Sequence, residues 1–179
     1  MEFSKLFTHC PTCGASSFIQ NNIKSKRCEA CGFVFYMNAS AAVAAFILNE
    51  SGELLVCKRG KEPVKGTLDL PGGFVDGDES AEEAISREIC EELQVNVTAA
   101  EYLFSLPNIY EYSGLTVPTL DMFFSCSVED TKQIVPSDDV EDCFFVALHE
   151  INPELFGLKS IKKAVALFLK SDPQPLKGL

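Results

Sequence analysis

Hydrophobic positions change their period along this chain, and each change marks an element. Residues 41–48 are apolar without a break, which predicts a strand buried on both faces, and Asn49-Glu50-Ser51-Gly52-Glu53 supplies a turn after it. Leu54–Arg59 then reads as the hairpin partner of that strand, and residues 67–70 as a short strand leading into Pro71-Gly72-Gly73. From Ser80 the period lengthens. Ala81, Ala84, Ile85, Ile89 and Leu93 fall on one face of a helix, and Ser80 with Glu83 makes a capping box at its start. Further strands are predicted over residues 96–104, 120–128 and 143–148, with an irregular loop over 107–118. An amphipathic helix over residues 158–169 follows, and Asp172-Pro173-Gln174-Pro175 ends the order. Strands and two helices in this sequence predict an α/β fold, a mixed sheet sandwiched between helices.

A chain of 179 residues has room for one ordinary domain and a small accessory one. With 46% hydrophobic and 23% charged residues it reads as globular, which excludes a disordered or collagenous chain. No apolar run reaches the ~18 residues that span a bilayer, and Met1-Glu2-Phe3-Ser4-Lys5 opens no secretion signal, so a cytoplasmic location is expected and no membrane partner. Charge is uneven. The chain carries −11, yet residues 1–36 hold Lys5, Lys24, Lys26 and Arg27 against Glu2 and Glu29, which leaves −13 for the rest. That balance repels polyanions and makes a nucleic-acid partner unlikely on charge.

Four of the eight cysteines form two pairs, Cys10-Pro11-Thr12-Cys13-Gly14 and Cys28-Glu29-Ala30-Cys31-Gly32. Each pair has the bite for two vertices of a tetrahedral zinc, and each glycine lets the backbone turn toward the thiolates. The fourteen residues from Gly14 to Arg27 are enough for a hairpin that brings the pairs together. Residues 1–36 therefore read as a zinc ribbon, a segment so small that the metal supplies much of its folding energy. His9 is read as a surface residue beside the first pair. The remaining cysteines, Cys57, Cys90, Cys126 and Cys143, read as small buried hydrophobes of a reducing compartment.

The helix from Ser80 carries the chemistry. Glu88, Glu91 and Glu92 stand at i, i+3 and i+4, three carboxylates within one turn, expected opposite the Ile85, Ile89 and Leu93 stripe. Helix propensity gives no reason to place three like charges together, whereas a divalent cation does. Oxygen ligands favour Mg²⁺ or Mn²⁺. Arg87 precedes Glu91 by four residues and neutralises a neighbouring acid, and the glycine-rich residues 71–77 offer carbonyls to a metal and amides to a phosphate.

This stretch resembles the Nudix box: Gly, five residues, Glu, seven residues, Arg-Glu, an aliphatic, any residue, Glu-Glu, any residue, Gly, an aliphatic. Here it reads Gly73, Glu79, Arg87, Glu88, Ile89, Cys90, Glu91, Glu92, Leu93, Gln94, Val95, with Gln94 where the family has Gly. The lead-in from Gly66 to Gly73 is similar too, with Leu68 where Trp is frequent. The resemblance implies a Nudix domain over residues 37–179, an α/β/α sandwich that hydrolyses a nucleoside diphosphate linked to another moiety. It further implies that Glu88, Glu91, Glu92 and the Gly72 carbonyl bind Mg²⁺ or Mn²⁺, with Glu88 a candidate base, Arg87 orienting a glutamate and Glu79 supporting the loop. Many members add an acid beyond the box. Residues 136–142 are its expected source here, with Glu141 first.

A zinc ribbon ahead of such a domain is similar to the architecture of NADH pyrophosphatases, whose Ser-Gln-Pro-Trp-Pro-Phe-Pro is here Ser105-Leu106-Pro107-Asn108-Ile109-Tyr110. Only the serine and first proline match, so the resemblance leaves ADP-ribose, NADH-like dinucleotides and nucleoside triphosphates open as substrates. Phe104, Tyr110 and Tyr112 are candidates to stack on a base, against the plainer reading as sheet core. The ribbon reads as a stabilising or homodimer-forming element, and Lys24, Lys26 and Arg27 as a solvated hairpin. The alternative to an enzyme is a nucleotide sensor on the same fold whose ribbon meets RNA or protein; three repelling carboxylates argue against it.

Overall fold

The structure, a computed structural model, describes residues 7–112 and 114–171. The N-terminal residues read above for a leader, and Asp172 to Pro175, lie outside the described residues. By compactness the chain divides into two units: the residues up to Ser40 with Ile109–Pro118, and Ala41–Asn108 with the residues from Thr119 onward.

In the first unit, β1 (Phe18–Asn22), β2 (Ser25–Cys28) and β3 (Val34–Tyr36) form an antiparallel sheet in that order. The expected hairpin between the cysteine pairs is β1 and β2. Its small core is Cys10, Phe18 and Cys28, with Phe33 and Phe35 packed against them. Lys24 and Arg27 are exposed as expected of a solvated hairpin, but Lys26 is buried: its Nζ donates to the Phe7 carbonyl at 2.9 Å and lies over the Phe18 ring.

The second unit holds β4 (Ser40–Ile47, entered from Ser40), β5 (Leu54–Arg59), β6 (Leu68–Asp69), helix α1 (Ala81–Leu93), and β9 (Val140–Val146) with helix α2 (Lys159–Phe168). Long strands β7 (Val97–Tyr112) and β8 (Leu115–Val128) belong to it up to Asn108 and from Thr119 on, and the sheets run β4-β8-β7 and β6-β5-β9. Residues 107–118, read as an irregular loop, are mostly strand. Their prolines and glycine sit in the pattern of a loop, but the ladder of a long two-stranded ribbon satisfies the backbone there. Leu54–Arg59 is not the hairpin partner of β4 either. The two share a single bridge, Leu48 with Leu54, and β5 pairs antiparallel with β6 and β9 instead. A parallel bridge from Leu68 to Phe156 makes the arrangement mixed.

Alternation along β4 explains its unbroken apolar run. Val43, Ala45 and Ile47 join one core cluster with Ala84, Ile85, Ile89 and Leu93 of α1, while Ala44 and Phe46 join a second with Ile161, Ala164, Val165 and Phe168 of α2. Leu55 and Cys57 of β5 face the first cluster, Leu54 and Val56 the second. Both helices thus cover sheet surface, the α/β/α sandwich the sequence predicts. Ile85, Ile89 and Leu93 are fully buried, each contributing about 1.5–3 kcal/mol. Cys57 and Cys126 are buried as expected, Cys143 is half-buried, and Cys90 is exposed because it stands one residue, about 100° of helix, past Ile89.

Candidate active site and metal centre

Two segments meet at the site. The first is residues 71–75, laid along β4: the Val43 N–H donates to the Gly73 carbonyl (2.8 Å), the Ala45 N–H to the Pro71 carbonyl (2.9 Å) and the Val75 N–H to the Ala41 carbonyl (3.0 Å). Gly72 has φ 145°, and a side chain there would strike the Val43 carbonyl and the Ala44 backbone. Only glycine fits so close an approach.

The second segment is α1. Ser80 caps it, accepting from the Glu83 N–H while Glu83 accepts from the Ser80 N–H at 2.8 Å, the capping box read from the sequence. Its far end closes on Gln94 at φ 59°, the left-handed position where the box carries glycine. The Gln94 amide offsets part of the strain by donating to the Glu91 carbonyl at 3.1 Å.

Arg87 ties the segments together. Its Nη2 and Nε donate to Glu79 at 2.6 and 3.1 Å, its Nη1 to Glu88 at 2.9 Å and to Glu91 at 3.1 Å, and Nη2 also reaches the Phe74 carbonyl at 3.0 Å. The guanidinium holds the Glu79 carboxyl below its ordinary range, helped by the Asp76 N–H. Glu88 is pushed the other way, since burial outweighs the Arg87 charge beside it. A side chain at Gly73 would fall on the Glu88 carboxylate, so that glycine makes room for the acid.

Glu92 departs from expectation. It is not opposite the apolar stripe but buried with it, 7% exposed, because it follows Ile85 by seven residues, two helical turns. Its Oε2 accepts the Gly72 N–H at 2.9 Å. Burial pushes its carboxyl up to about 8, with further upward push from Glu88, Asp69 and Asp139. The three glutamates therefore share a turn without converging: Glu88 and Glu91 turn to Arg87, Glu92 to the loop. Their chemistry suits a hard cation. All donors are oxygens, the loop leaves space at Gly73 for a carboxylate, and Glu92 is a buried acid whose Oε2 is held by a backbone N–H.

Glu141 lies on β9, exposed, and accepts from Lys58 Nζ of β5 at 2.8 Å, which holds its carboxyl below the ordinary value. This ion pair has no local signal in the sequence, because it depends on the β5–β9 register. Nor does the sequence reveal Arg59, whose Nη1 pairs with Asp69 between β5 and β6. A third group, also unread, surrounds buried Asp121: Thr119 Oγ1 at 2.6 Å, Asn108 Nδ2 at 3.0 Å and Ser160 Oγ at 2.5 Å. Phe104, a candidate to stack on a base, packs instead against Phe123 in the core. The side chain of Tyr112 lies outside the described residues.

In the first unit, Cys10, Cys13, Cys28 and Cys31 bring all four Sγ atoms within 4.8 Å of one another. Cross-pair separations of 3.6 and 3.7 Å match the edge, about 3.8 Å, of a tetrahedron with 2.3 Å zinc–sulfur bonds. The Gly14 N–H donates to the Cys10 carbonyl and the Gly32 N–H to the Cys28 carbonyl, both at 2.9 Å, with φ of 75° and 79° that glycine adopts freely. Among the described residues this is the one group of three or more candidate ligands so tightly gathered. His9 is exposed and hydrogen-bonds Thr8, as a surface residue would.

The chain is similar to the NAD-capped RNA hydrolase NudC of Pseudomonas aeruginosa, 26% identical over 144 residues that cover 80% of this chain and 49% of that protein. A shorter stretch of 57 residues is 44% identical to an ADP-ribose pyrophosphatase of Methanocaldococcus jannaschii, covering 32% of this chain and 33% of that one. This chain spans about half the length, or less, of the curated relatives it matches. In fold it is similar to a NUDIX hydrolase from Nitrosomonas europaea, with a TM-score of 0.72 over 93% of this chain and 94% of that one at 20% identity. No helix among the described residues is long and apolar enough to cross a membrane. The NUDIX domain family matches residues 38–168, which is most of the sequence and includes both segments of the site. The chain belongs to the NUDIX family.

Proposed function

We propose that this chain hydrolyses the diphosphate linkage of a nucleoside diphosphate derivative, with residues 37–179 as the catalytic domain and residues 1–36 as a zinc ribbon. The observation that carries the reading is Glu92, buried on the turn it shares with Glu88 and Glu91 and joined to the glycine loop through Gly72.

Glu88, Glu91 and Glu92, with the Gly72 carbonyl, would hold Mg²⁺ or Mn²⁺. With a divalent cation held there, the charge of the phosphate oxygens would be offset and the attacking water made more acidic. The protein's own groups do the positioning. Arg87 fixes the rotamers of Glu88 and Glu91 and anchors them to Glu79 and the Phe74 carbonyl. Glu88, half-buried against the glycine loop with its carboxylate beside Gly73, takes the proton of the attacking water. Glu141, kept ionised by Lys58, supplies the acid beyond the box. Cys10, Cys13, Cys28 and Cys31 would hold Zn²⁺, a structural site whose four positions are all protein ligands.

The relatives named above act on NAD-capped RNA and on ADP-ribose, so the substrate class runs from free dinucleotides and ADP-ribose to a capped RNA end. The acidic balance of the chain argues against bulk nucleic-acid binding and leaves a terminal cap within reach. A panel of ADP-ribose, NAD⁺, NADH, dinucleoside polyphosphates, nucleoside triphosphates and a short NAD-capped RNA, assayed with Mg²⁺ and with Mn²⁺, tests the reading. Cleavage of at least one diphosphate is expected. Binding without cleavage across the panel would turn the assignment to a nucleotide sensor.

A further inference from the structure

Cys57 and Cys143 stand directly opposite each other on β5 and β9. Their side chains share a face of the sheet: Cys57 belongs to the core cluster beneath α1, and Cys143 packs against that cluster. Neither serves the carboxylate site, and neither belongs to the four cysteines of the ribbon. From the sequence each reads as a separate small hydrophobe, because only the β5–β9 register brings them together.

The ladder fixes what kind of pair they make. The Arg59 N–H donates to the Thr67 carbonyl, on the β6 side of β5, and by strand alternation the Cys57 N–H points the same way. The Cys143 N–H agrees, since it donates to the Asp142 carboxylate at 2.9 Å. Cys57 and Cys143 are therefore a non-hydrogen-bonded pair, whose Cα atoms stand about 4.5 Å apart with the side chains close. A disulfide spans Cα separations of about 4.4–6.8 Å, so a bond is within reach with no change of register. A bond at the short end of that range is strained, and strained disulfides are the ones that thiols readily reduce. Access to the two sulfurs is unequal. Cys57 is buried, whereas Cys143 is half-buried on β9, the last strand in its sheet's order. Burial pushes the Cys57 thiol well up, and the Glu92 carboxylate and Cys143 add to that push, which puts the pair beside the buried acid of α1.

We propose that Cys57 and Cys143 are a reversible disulfide site, oxidised by a hydroperoxide, and that the bond slows hydrolysis at the neighbouring carboxylates. The Cys143 sulfur takes the terminal oxygen of the hydroperoxide and becomes a sulfenic acid, while the rest of the peroxide leaves as an alcohol, or as water from hydrogen peroxide. The Cys57 sulfur then attacks the sulfenic sulfur. The S–S bond forms, the S–O bond breaks, and the hydroxyl leaves as water with the Cys57 proton. Two electrons pass from the thiols to the peroxide, and two from a small dithiol restore them. Disulfides commonly hold Cα atoms about 5.5–6 Å apart, so the bond parts β5 and β9 by roughly 1 Å beneath α1. Lys58 with Asp142 is the next pair along, and Glu141, which Lys58 holds, precedes Cys143 by two residues. A misplacement of about 1 Å can cost catalysis on the order of 10²-fold. The effect on hydrolysis rests on the diphosphatase reading, and the bond itself does not.

The test treats the whole zinc-loaded chain with a small excess of hydrogen peroxide, then reads non-reduced digests by mass spectrometry and turnover on a cleaved diphosphate. A peptide linking Cys57 to Cys143 is expected, with turnover reduced about tenfold or more and zinc content unchanged. Dithiothreitol should reverse both changes. Cys143→Ser, at a half-buried position, should keep its turnover under the same treatment although Cys90 and the ribbon thiols remain, and Cys57→Ala should do likewise. Recovery of Cys57 and Cys143 unlinked after treatment would overturn the site. Turnover lost equally in wild type and Cys143→Ser would overturn the effect of the bond on hydrolysis. A linked peptide in a chain that cleaves no diphosphate in either state would remove the diphosphatase reading and keep the disulfide site.

Discussion

Glu92 accepts the Gly72 N–H at 2.9 Å across twenty residues of sequence, so the buried acid of α1 is joined to the glycine loop where that loop lies close against β4. Glu92→Gln keeps an oxygen for that N–H and removes the charge that burial disfavours. Turnover should fall by about 10²–10³-fold or more, the scale seen when one electrostatic stabiliser is lost. The thermal midpoint of the metal-free protein should stay level or rise. Steady-state kinetics beside a melting curve separates this from simple misfolding.

Arg87 donates to three carboxylates and a carbonyl. Lysine keeps the charge but not the planar fork, so Arg87→Lys is not a conservative change here. We expect kcat to drop about 100-fold, and stability to fall by about 1–3 kcal/mol as hydrogen bonds to partly buried acids are lost. Urea denaturation measures the second effect. A variant with wild-type kcat would remove Arg87 from the positioning role.

Much of this was legible in the sequence, and the failures have physical causes. The helix, its Ser80 cap and the two cysteine pairs rest on local chemistry, which the chain carries within a few residues. The burial of Glu92 runs against the sequence reading: its charge argues for solvent, although its seven-residue spacing from Ile85 gives it the apolar face. Pairing was not legible. Nothing local distinguishes β5 as the partner of β9 from β5 as the partner of β4, and Lys58–Glu141 and Arg59–Asp69 exist only through that choice. The strand character of residues 107–118 was hidden behind Pro107, Gly114 and Pro118, which signal turns unless a long ribbon overrides them.

Gln94 occupies the left-handed cap at φ 59°. Gln94→Gly removes a Cβ from that conformation at the loss of the side-chain amide's bonds to the Cys90 and Glu91 carbonyls, and should stabilise by about 1 kcal/mol. Activity should not change, because Gln94 touches no carboxylate of the site. Chemical denaturation of the two proteins checks it, and a lower midpoint would contradict the account of the cap.

The Ser80–Glu83 capping box predicts an acid dependence. The Ser80 N–H holds the Glu83 carboxyl below its ordinary value of 4.5. A depressed acid stabilises the fold above its unfolded value and loses that stabilisation as pH falls through the folded one. Glu83→Gln should therefore be less stable than wild type at neutral pH, with the gap closing below about pH 4. Ser80→Ala should cost about 1 kcal/mol through loss of the cap. Melting curves from pH 3 to 7 decide both.

The four thiolates of the ribbon predict one tightly bound zinc per chain. Cobalt substitution should give the visible absorption of a tetrahedral thiolate site, and Cys13→Ser should abolish it. Metal analysis that finds no zinc in protein purified without chelator would remove the ribbon assignment.

The central claim is that the carboxylates of α1 hold the cation used in hydrolysis, and the most direct measurement follows Mn²⁺ binding by electron paramagnetic resonance and nucleotide cleavage in the same samples. Wild type and Glu92→Gln, both zinc-loaded, are compared on whichever diphosphate the wild type cleaves. The account predicts Mn²⁺ affinity and turnover lost together in the variant, with its melting midpoint unchanged or raised. Turnover retained in Glu92→Gln, or wild-type cleavage indifferent to Mg²⁺ and Mn²⁺, would contradict it.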